Sequence, residues 1–182
     1  MLILASNSTT RAMILKNAGI EFLQKGIDFD EQSVRANTPE RLVCAIVKGK
    51  LERFMSIYGA KDNILCADTV VVCQGKILGK ANDFHEARQM LELQSGNRVD
   101  ILTAMIYHTP SLYLEELAKT SYYFLPYEPE DLQRYLDSNE WEGKAGACMV
   151  EGFCKPYIKN VSGFESTAMG LCVETLYPFL EA

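Results

Sequence analysis

Asp68 is the residue that most strongly suggests chemistry, because it interrupts an apolar run. The segment 64–72 is otherwise almost entirely apolar and rich in β-branched residues, which predicts a central strand covered on both faces. A lone carboxylate in such a strand costs several kcal/mol unless a cation pairs with it or it binds a metal. Asp68 is therefore either a functional acid or half of a structural ion pair, and the residues alone favour neither.

Glu31 is a second acid of interest, in a polar and acidic segment at 26–37 that we predict to be a loop. Two carboxylates can hold a hard divalent cation between them. Sequence spacing does not establish that Glu31 and Asp68 meet. A shared metal site is therefore one hypothesis, and an ordinary solvated loop acid is the other.

A polar turn after the first predicted strand offers donors for an anion. Ser6, Ser8 and Thr9 precede a helical stretch that runs from about Arg11 to Ala18. Hydroxyls and free backbone N–H groups at a helix N-terminus, with a cation one turn along, stabilise phosphate. The simpler alternative is that Ser8 or Thr9 only caps the helix.

Three lysines are candidates for neutralising a phosphate, although lysine is also the commonest kind of solvated surface residue. Lys48 lies within an apolar helical pattern, Lys80 follows Leu-Gly, and Lys144 lies in a glycine loop. The segment before Lys80 superficially suggests a P-loop. That motif requires Gly and then Ser or Thr where this chain has Gln74 and Ala81, so the P-loop is excluded.

An α/β framework must position these residues, and the pattern of the chain predicts one. Helical spacing, capping residues and apolar runs alternate along the chain, with a hairpin-like middle, which indicates a partly antiparallel sheet with helices packed on it. We predict strands at 2–5, 20–22, 64–72, 76–78, 99–107 and 120–125 and helices at 11–18, 39–58, 83–95, 129–136 and after 166. No repeat, linker or low-complexity tract divides the sequence, so we expect one domain over 1–182.

Charge and hydropathy exclude several classes of protein. The 182 residues include 18 basic and 24 acidic side chains, a formal net charge of -6. This balance argues against nucleic-acid binding through bulk charge, although one small anion can still bind in a basic pocket. No apolar run approaches the ~20 residues of a membrane span, and no signal peptide is evident, so we expect a soluble, cytoplasmic protein.

The cysteines are expected to be reduced. They lie at positions 44, 66, 73, 148, 154 and 172, without a Cys-x-x-Cys pair or a neighbouring histidine that would complete a zinc site. Most of them lie in apolar runs, where a free cysteine behaves as a small hydrophobic residue. The same spacing leaves a thiol-redox function as a remote alternative.

Seven short motifs, in order from residue 2 to about 172, resemble those of the Maf nucleoside triphosphate pyrophosphatases. Two are intact: Ala-Asp-Thr-Val-Val at 67–71 and Glu-Gly-Lys-Ala-Gly at 142–146. The others are similar to the family's Leu-Ala-Ser-x-Ser-Pro-Arg-Arg, Asp-Glu, Leu-Ala-x-x-Lys-Ala, Leu-Gly-Lys-Pro and Val-Gly-Leu-Pro strings, at 4–11, 30–31, 44–49, 78–81 and 169–171.

The resemblance implies a fold and a reaction. The fold is α/β: a mixed, bent central sheet flanked by helices, with two lobes and a cleft, as in Maf and ITPase-like proteins, often in a homodimer. The reaction is hydrolysis of a nucleoside triphosphate between the α and β phosphates, giving the monophosphate and pyrophosphate, as house-cleaning of nucleotide pools. It requires a divalent cation, Mg²⁺ or Mn²⁺.

The resemblance also implies roles for individual residues. Asp68 corresponds to the general base and a metal-associated carboxylate, and Glu31 helps to hold the metal. The residues implied in triphosphate binding are Ser6, Ser8, Arg11, Lys48 and Lys80. A triphosphate carries about four negative charges, which these cations and one metal ion can largely neutralise.

The markers of base specificity conflict. Family members with an arginine at the place of Thr10 and a glutamine at the place of Glu151 favour dTTP and UTP. A second branch lacks that arginine, carries the glutamate and prefers 7-methyl-GTP, whereas Thr69 matches the first branch. A carboxylate accepts hydrogen bonds from the N–H donors of a guanine edge, which gives Glu151 a physical rationale. The base stays open, and Thr9, where the family has proline, is a further departure.

The alternative function is a nucleotide-binding regulator of cell division and septum formation with little or no catalysis, an association that the family carries. An enzyme should lose turnover and keep nucleotide binding when Asp68 is changed to Asn. A regulator should keep its cellular effect after the same change.

Overall fold

A long central strand, β3 (Asn63–Cys73), connects the parallel and antiparallel parts of the sheet. β1 (Leu2–Leu4) lies parallel to β3 on one side and to β2 (Phe22–Gln24) on the other. The computed structural model describes residues 1–60 and 63–180, and within them the sheet has seven strands. Six of them follow the order β2-β1-β3-β5-β6-β7, with β5 (Arg98–His108), β6 (Tyr113–Phe124) and β7 (Ile158–Ser162), and the seventh pairs only with β3.

Antiparallel pairs complete the sheet, so the predicted mixed α/β architecture is confirmed. β4 (Lys76–Leu78) pairs antiparallel with β3, and β7 pairs antiparallel with β6. β6 begins at Tyr113 and not at 120 as predicted, because its first half alternates exposed and half-buried side chains. Such a strand carries charged residues on its solvated face and lacks the continuous apolar run that marks a buried strand.

Three helices begin at or within one residue of the predicted positions, at Pro39, Phe84 and Pro129, whereas the first begins at Thr9 and not at about Arg11. The helices are α1 (Thr9–Asn17), α2 (Pro39–Tyr58), α3 (Phe84–Gln94), α4 (Pro129–Asp137), α5 (Glu165–Ala168) and α6 (Val173–Leu180). At α1, α2 and α3 the side chains of Ser8, Thr38 and Asp83 accept hydrogen bonds from the backbone N–H three residues along, at 3.2, 3.3 and 2.8 Å. Each oxygen satisfies an N–H group that has no partner within its own helix. Among the helices of the described residues, none is long and apolar enough to cross a membrane.

The chain divides into two compact units. The first contains the described residues within Met1–Thr69, Leu102–Lys119 and Phe164–Ala182, and the second contains Val70–Ile101 and Thr120–Gly163. The core of the first unit includes Leu4, Leu15, Leu65, Met105 and Leu171, which are fully or almost fully buried. The prediction of one domain over 1–182 stays a prediction.

One cysteine pair corrects the expectation of reduced thiols. Cys148 and Cys154 form a disulfide, with their Cα atoms 6.6 Å apart. Their separation of six residues is not a recognised redox spacing, and a chain reversal at 149–154 brings them together. Cys44, Cys66, Cys73 and Cys172 are free, as expected.

Candidate functional site

Asp68 lies in β3 and is paired with a lysine that the motifs did not single out. The side chain of Asp68 is 8% exposed, and its Oδ1 atom lies 2.5 Å from Nζ of Lys50. Burial raises the pKa of Asp68, and the nearby ammonium of Lys50 opposes that rise. An uncompensated carboxylate in this position would be strongly destabilising, so Lys50 makes an ionised Asp68 tolerable.

Glu31 reaches the same ammonium. Oε1 of Glu31 also lies 2.5 Å from Nζ of Lys50, so the two predicted carboxylates converge on one cation position. Glu31 opens a short 3₁₀ helix, Glu31–Ser33, which Asp30 caps by accepting a hydrogen bond from the backbone N–H of Gln32. The structure therefore brings together the two acids whose meeting the sequence could not establish.

Gly49 allows this loop to lie against α2. A Cβ atom at position 49 would fall 2.4 Å from Cζ of Phe29, well inside van der Waals contact. The Phe29 ring therefore occupies the space that any larger residue at 49 would fill. This contact lies two residues from Glu31 and beside Lys50, so it sets the position from which Glu31 reaches the lysine.

The structure brings Lys48 to Glu115 and not to Asp68 or Glu31, so the role that the Leu-Ala-x-x-Lys-Ala resemblance implies for Lys48 stays a prediction. Its side chain is 50% exposed and pairs with Glu115 at 3.1 Å, a contact that raises the pKa of Lys48. Residues two apart on an α-helix point about 200° apart around the axis, so Lys48 and Lys50 face different surroundings. Helical periodicity could have found Lys50: it lies four residues after Ile46 and four before Phe54, both buried.

Arg11 is held by three oxygen atoms. Its Nε donates to the backbone oxygen of Gly170 at 2.8 Å, Nη1 donates to Oγ of Ser6 at 3.2 Å, and Nη2 donates to Oγ1 of Thr69 at 3.4 Å. Burial lowers the pKa of Arg11, and the negative charges of Asp68 and Glu31 oppose that change. The guanidinium is thus a fixed cation within electrostatic range of both acids.

The polar turn at the start of α1 performs the capping role and orients Arg11. Oγ of Ser8 accepts from the backbone N–H of Arg11, and Oγ of Ser6 accepts from the backbone N–H of Ser8 at 3.1 Å. Ser6 is buried, whereas Thr10 is half-buried on the first turn of α1. Of the predicted residues, the first unit therefore gathers Ser6, Arg11, Glu31, Asp68 and Thr69 around Lys50 and the α1 turn.

Lys80 and Glu151 belong to the second unit. Lys80 forms an isolated antiparallel bridge with Ala145, and the backbone N–H of Gly146 donates to the backbone oxygen of Gly79 at 2.8 Å. The Leu-Gly-Lys and Glu-Gly-Lys-Ala-Gly motifs thus pair with each other. Glu151 is exposed, in the chain reversal that the Cys148–Cys154 disulfide closes.

The comparisons with known proteins decide the family. The family described as Maf-like protein matches this chain over residues 1–182. The chain belongs to the Maf family. A Maf relative from a Nitratiruptor species, named "Nucleoside triphosphate pyrophosphatase", is 54% identical over 178 residues, covering 97% of this chain and 96% of the relative. A relative of the same name from Campylobacter jejuni is 40% identical and covers 99% and 100% of the two chains.

A solved structure supports the fold of this Maf-family chain. The Ham1 protein of Staphylococcus aureus superposes with a TM-score of 0.53, covering 99% of this chain and 97% of that one. The sequence identity is 15%, so the likeness concerns the fold alone.

The donor set of the Maf-family site fits a hard divalent cation. Within the described residues, no group of three or more His, Cys, Asp or Glu side chains could hold a metal by itself. Asp68 and Glu31 nevertheless direct two oxygen atoms at one point, and the ammonium of Lys50 occupies that point as a positive charge. Mg²⁺ is typically held by one or two carboxylates, with water and substrate phosphates as the remaining ligands, and this site offers two.

Proposed function

We propose that this Maf-family chain hydrolyses a nucleoside triphosphate to the nucleoside monophosphate and pyrophosphate. The observation that carries the proposal is the convergence of Asp68 and Glu31 on one cation position, within electrostatic range of Arg11. Carboxylates that can hold a metal, placed next to fixed cations, are what phosphoryl transfer requires, because catalysis there consists mainly of positioning and charge stabilisation.

Asp68 acts as the general base. Its carboxylate accepts the proton of the attacking water, and its burial raises its pKa, which makes the carboxylate more basic than one in solvent. Lys50 counteracts part of that shift and keeps the charged form accessible. The pair gives a base that is ionised yet still able to take up a proton.

Asp68 and Glu31 also hold a divalent cation, Mg²⁺ or Mn²⁺. When bound, such an ion neutralises phosphate charge and polarises the phosphoryl group that is attacked. The two carboxylates supply the protein's share of its ligands, and the phosphate oxygens of the substrate supply others.

Arg11 and Lys50 bind the triphosphate, and Lys50 takes the role that the motif assigned to Lys48. Three N–H groups of Arg11 are engaged by Gly170, Ser6 and Thr69, and its other N–H groups have no acceptor among the described residues. They are therefore available to phosphate oxygens. Lys50 lies beside the same carboxylates and exchanges part of its contact with them for the phosphate. The resemblance also assigns Lys80, which belongs to the second unit, to triphosphate binding, and that assignment stays a prediction.

The residues that mark the preferred base of the substrate oppose one another. Thr10 and the exposed Glu151 favour 7-methyl-GTP, since a carboxylate accepts from a purine N–H edge and attracts a cationic base. Thr69 favours dTTP and UTP by its resemblance to the other branch. Both classes of nucleotide are substrates to compare directly.

The protein acts in the cytoplasm on the nucleotide pool, and as a homodimer, by resemblance to its family. Light scattering after gel filtration measures the oligomeric state, and a monomer at micromolar concentration would contradict the homodimer.

Release of pyrophosphate tests the function. Purified protein with Mg²⁺ or Mn²⁺ is assayed with dTTP, UTP, CTP, GTP and 7-methyl-GTP, beside the Asp68→Asn variant. We expect turnover by the wild type and a loss of at least ~10³-fold in kcat for Asp68→Asn, with nucleotide binding retained. Nucleotide binding without turnover in the wild type would instead support the division regulator.

A further inference from the structure

Thr103 is a buried hydroxyl that none of the sequence motifs identifies. It lies in β5 between Leu102 and Ala104 and is fully buried. A hydroxyl in an apolar core has to be hydrogen-bonded, because an unpaired one loses its hydrogen bonds to water and gains none in return. Its Oγ1 lies 2.8 Å from Oγ1 of Thr69 and 2.7 Å from the backbone oxygen of Thr167.

The direction of these hydrogen bonds follows from the acceptor at one end. The backbone oxygen of Thr167 can only accept, so Thr103 donates its single hydroxyl proton to it. The hydrogen bond between the two threonines must then be donated by Thr69, and Thr103 accepts it. With its proton committed, Oγ1 of Thr69 presents lone pairs to Nη2 of Arg11.

A second path leads from Thr103 to the same guanidinium. The backbone oxygen of Thr167 also accepts from the backbone N–H of Gly170 at 3.1 Å. The backbone oxygen of Gly170 in turn accepts from Nε of Arg11 at 2.8 Å. Thr103 therefore holds both a side-chain acceptor and the turn that carries a backbone acceptor of Arg11.

Gly170 shows how closely these groups pack. Its φ is +107°, and a Cβ atom there would lie 3.2 Å from Oγ1 of Thr69 and 3.3 Å from Nε of Arg11. Three groups around the guanidinium are thus in mutual contact, and a shift of one displaces the others.

We propose that Thr103 is a positioning residue of the triphosphate site, which fixes the orientation of Arg11 through Thr69 and Gly170. This role rests on the proposed function, because it assumes that Arg11 binds the triphosphate. It also changes the role of Thr69. The Thr69 proton is already donated within the core, so Thr69 influences the reaction through Arg11 and not as a donor to the nucleobase.

The test compares two variants of Thr103. Thr103→Val preserves shape and β-branching but removes the hydroxyl, whereas Thr103→Ser preserves the hydroxyl. We expect kcat/KM of Thr103→Val to fall about tenfold, the equivalent of one ordinary hydrogen bond, and Thr103→Ser to stay within about threefold of the wild type. The inhibition constant of inorganic pyrophosphate should rise by a similar factor in Thr103→Val, because the probe binds the same guanidinium.

Ile106→Val is the matched control for stability. Ile106 is fully buried in the same strand, on the opposite face from Thr103, and the change lowers stability by an amount comparable with the loss of one hydrogen bond. Assayed well below its melting temperature, this variant should keep wild-type kcat/KM and pyrophosphate inhibition. Equal losses in Ile106→Val and Thr103→Val would overturn the positioning role.

A double-mutant cycle separates this inference from the proposed function. In an Arg11→Met background, Thr103→Val should change kcat/KM by less than about twofold while it still lowers the melting temperature. The same fractional loss in both backgrounds would show that Thr103 does not act through Arg11.

If Arg11→Met does not fold, Arg11→Lys replaces it as the background variant, because an ammonium cannot make the three guanidinium contacts. Full activity in these Arg11 variants would refute the assignment of Arg11 instead. If the wild type shows no turnover, the proposed function is refuted. The pyrophosphate affinities of the wild type and Thr103→Val then still test the positioning role of Thr103.

Discussion

Replacement of Lys50 by methionine tests the site directly, and the same change at Lys48 is its control. Both lysines lie on α2, two residues apart, and methionine keeps the length and helix propensity of each side chain. Lys50 is 12% exposed and touches two carboxylates, whereas Lys48 is 50% exposed and touches one. The two variants therefore remove the same charge from the same helix in different surroundings.

The expected magnitude follows from the burial of Asp68. Loss of one partner of a buried ion pair costs about 3–5 kcal/mol, because the other charge is left uncompensated. Without Lys50, the buried Asp68 can take up a proton instead of staying charged, so Lys50→Met should lie at the lower end of that range, lowering the melting temperature by about 6–12 °C. An exposed ion pair contributes at most about 1 kcal/mol, so Lys48→Met should shift the melting temperature by less than ~4 °C.

The stability difference should depend on pH in a defined direction. The pKa of Asp68 is raised above 3.8 in the folded chain, so the folded state binds this proton more tightly than the unfolded state. Stability from this group is therefore highest below 3.8 and falls as the pH rises through the folded pKa. Because Lys50 opposes the rise, its removal raises the pKa of Asp68 further. The deficit of Lys50→Met should therefore be small below 3.8 and should grow as the pH rises through the folded pKa of Asp68.

Thermal unfolding at several pH values measures this effect, and pyrophosphate release measures the loss of a phosphate-binding cation. We expect kcat/KM of Lys50→Met to fall about 10²–10³-fold. The acidic limb of its pH–rate profile should move to higher pH, since a base of higher pKa loses its proton only at a higher pH. Lys48→Met should remain within about twofold of the wild type. Equal losses in the two variants, or a stability deficit in Lys50→Met that is constant with pH, would refute the assignment of Lys50 to the site.

Other predictions address the loop, the base and the metal. Gly49→Ala should lower turnover at least ~10-fold, because its Cβ atom would displace Phe29 and with it Glu31, even though alanine favours helix. A crystal structure of the variant would show the shifted loop. An unmoved loop together with full activity would contradict the prediction. Glu151→Gln should shift relative kcat/KM towards dTTP and UTP, which a comparison across nucleotides checks, and unchanged ratios would count against it. Treatment with EDTA should abolish turnover, and added Mg²⁺ or Mn²⁺ should restore it; activity that survives exhaustive chelation would exclude a metal-dependent reaction.

Local sequence signals predicted most of the fold because each one has a direct physical basis. Side-chain caps located the starts of α2 and α3, and the apolar run around Asp68 located the central strand. The first half of β6 escaped prediction because only one of its faces is buried. The Cys148–Cys154 disulfide escaped because it depends on a chain reversal that spacing alone does not reveal.

The sequence predicted which kinds of residue form the candidate site, but not which of these residues contact one another. Asp68 was found because a buried carboxylate is costly, and that same cost required a cation near it. The motif resemblance supplied Lys48, whereas the helical phase of α2, with Ile46 and Phe54 buried, places Lys50 on the inner face. The Glu31 contact could not be predicted, because it depends on the packing of Phe29 against Gly49, which links two distant segments.

The turn before α1 shows why capping and anion binding are not alternatives here. Oγ of Ser8 accepts from the backbone N–H of Arg11, which fixes the start of α1 and thereby the direction in which the Arg11 side chain leaves the helix. Ser6 then accepts from both the Ser8 backbone and the guanidinium, so one turn organises the helix terminus and the cation together. A Ser8→Ala variant should therefore lose phosphate affinity as well as about 1 kcal/mol of capping energy, whereas Thr38→Ala, which removes the cap of α2, should lose stability alone. Pyrophosphate inhibition of the two variants distinguishes these outcomes, and equal inhibition in both would show that the α1 cap has no part in the site.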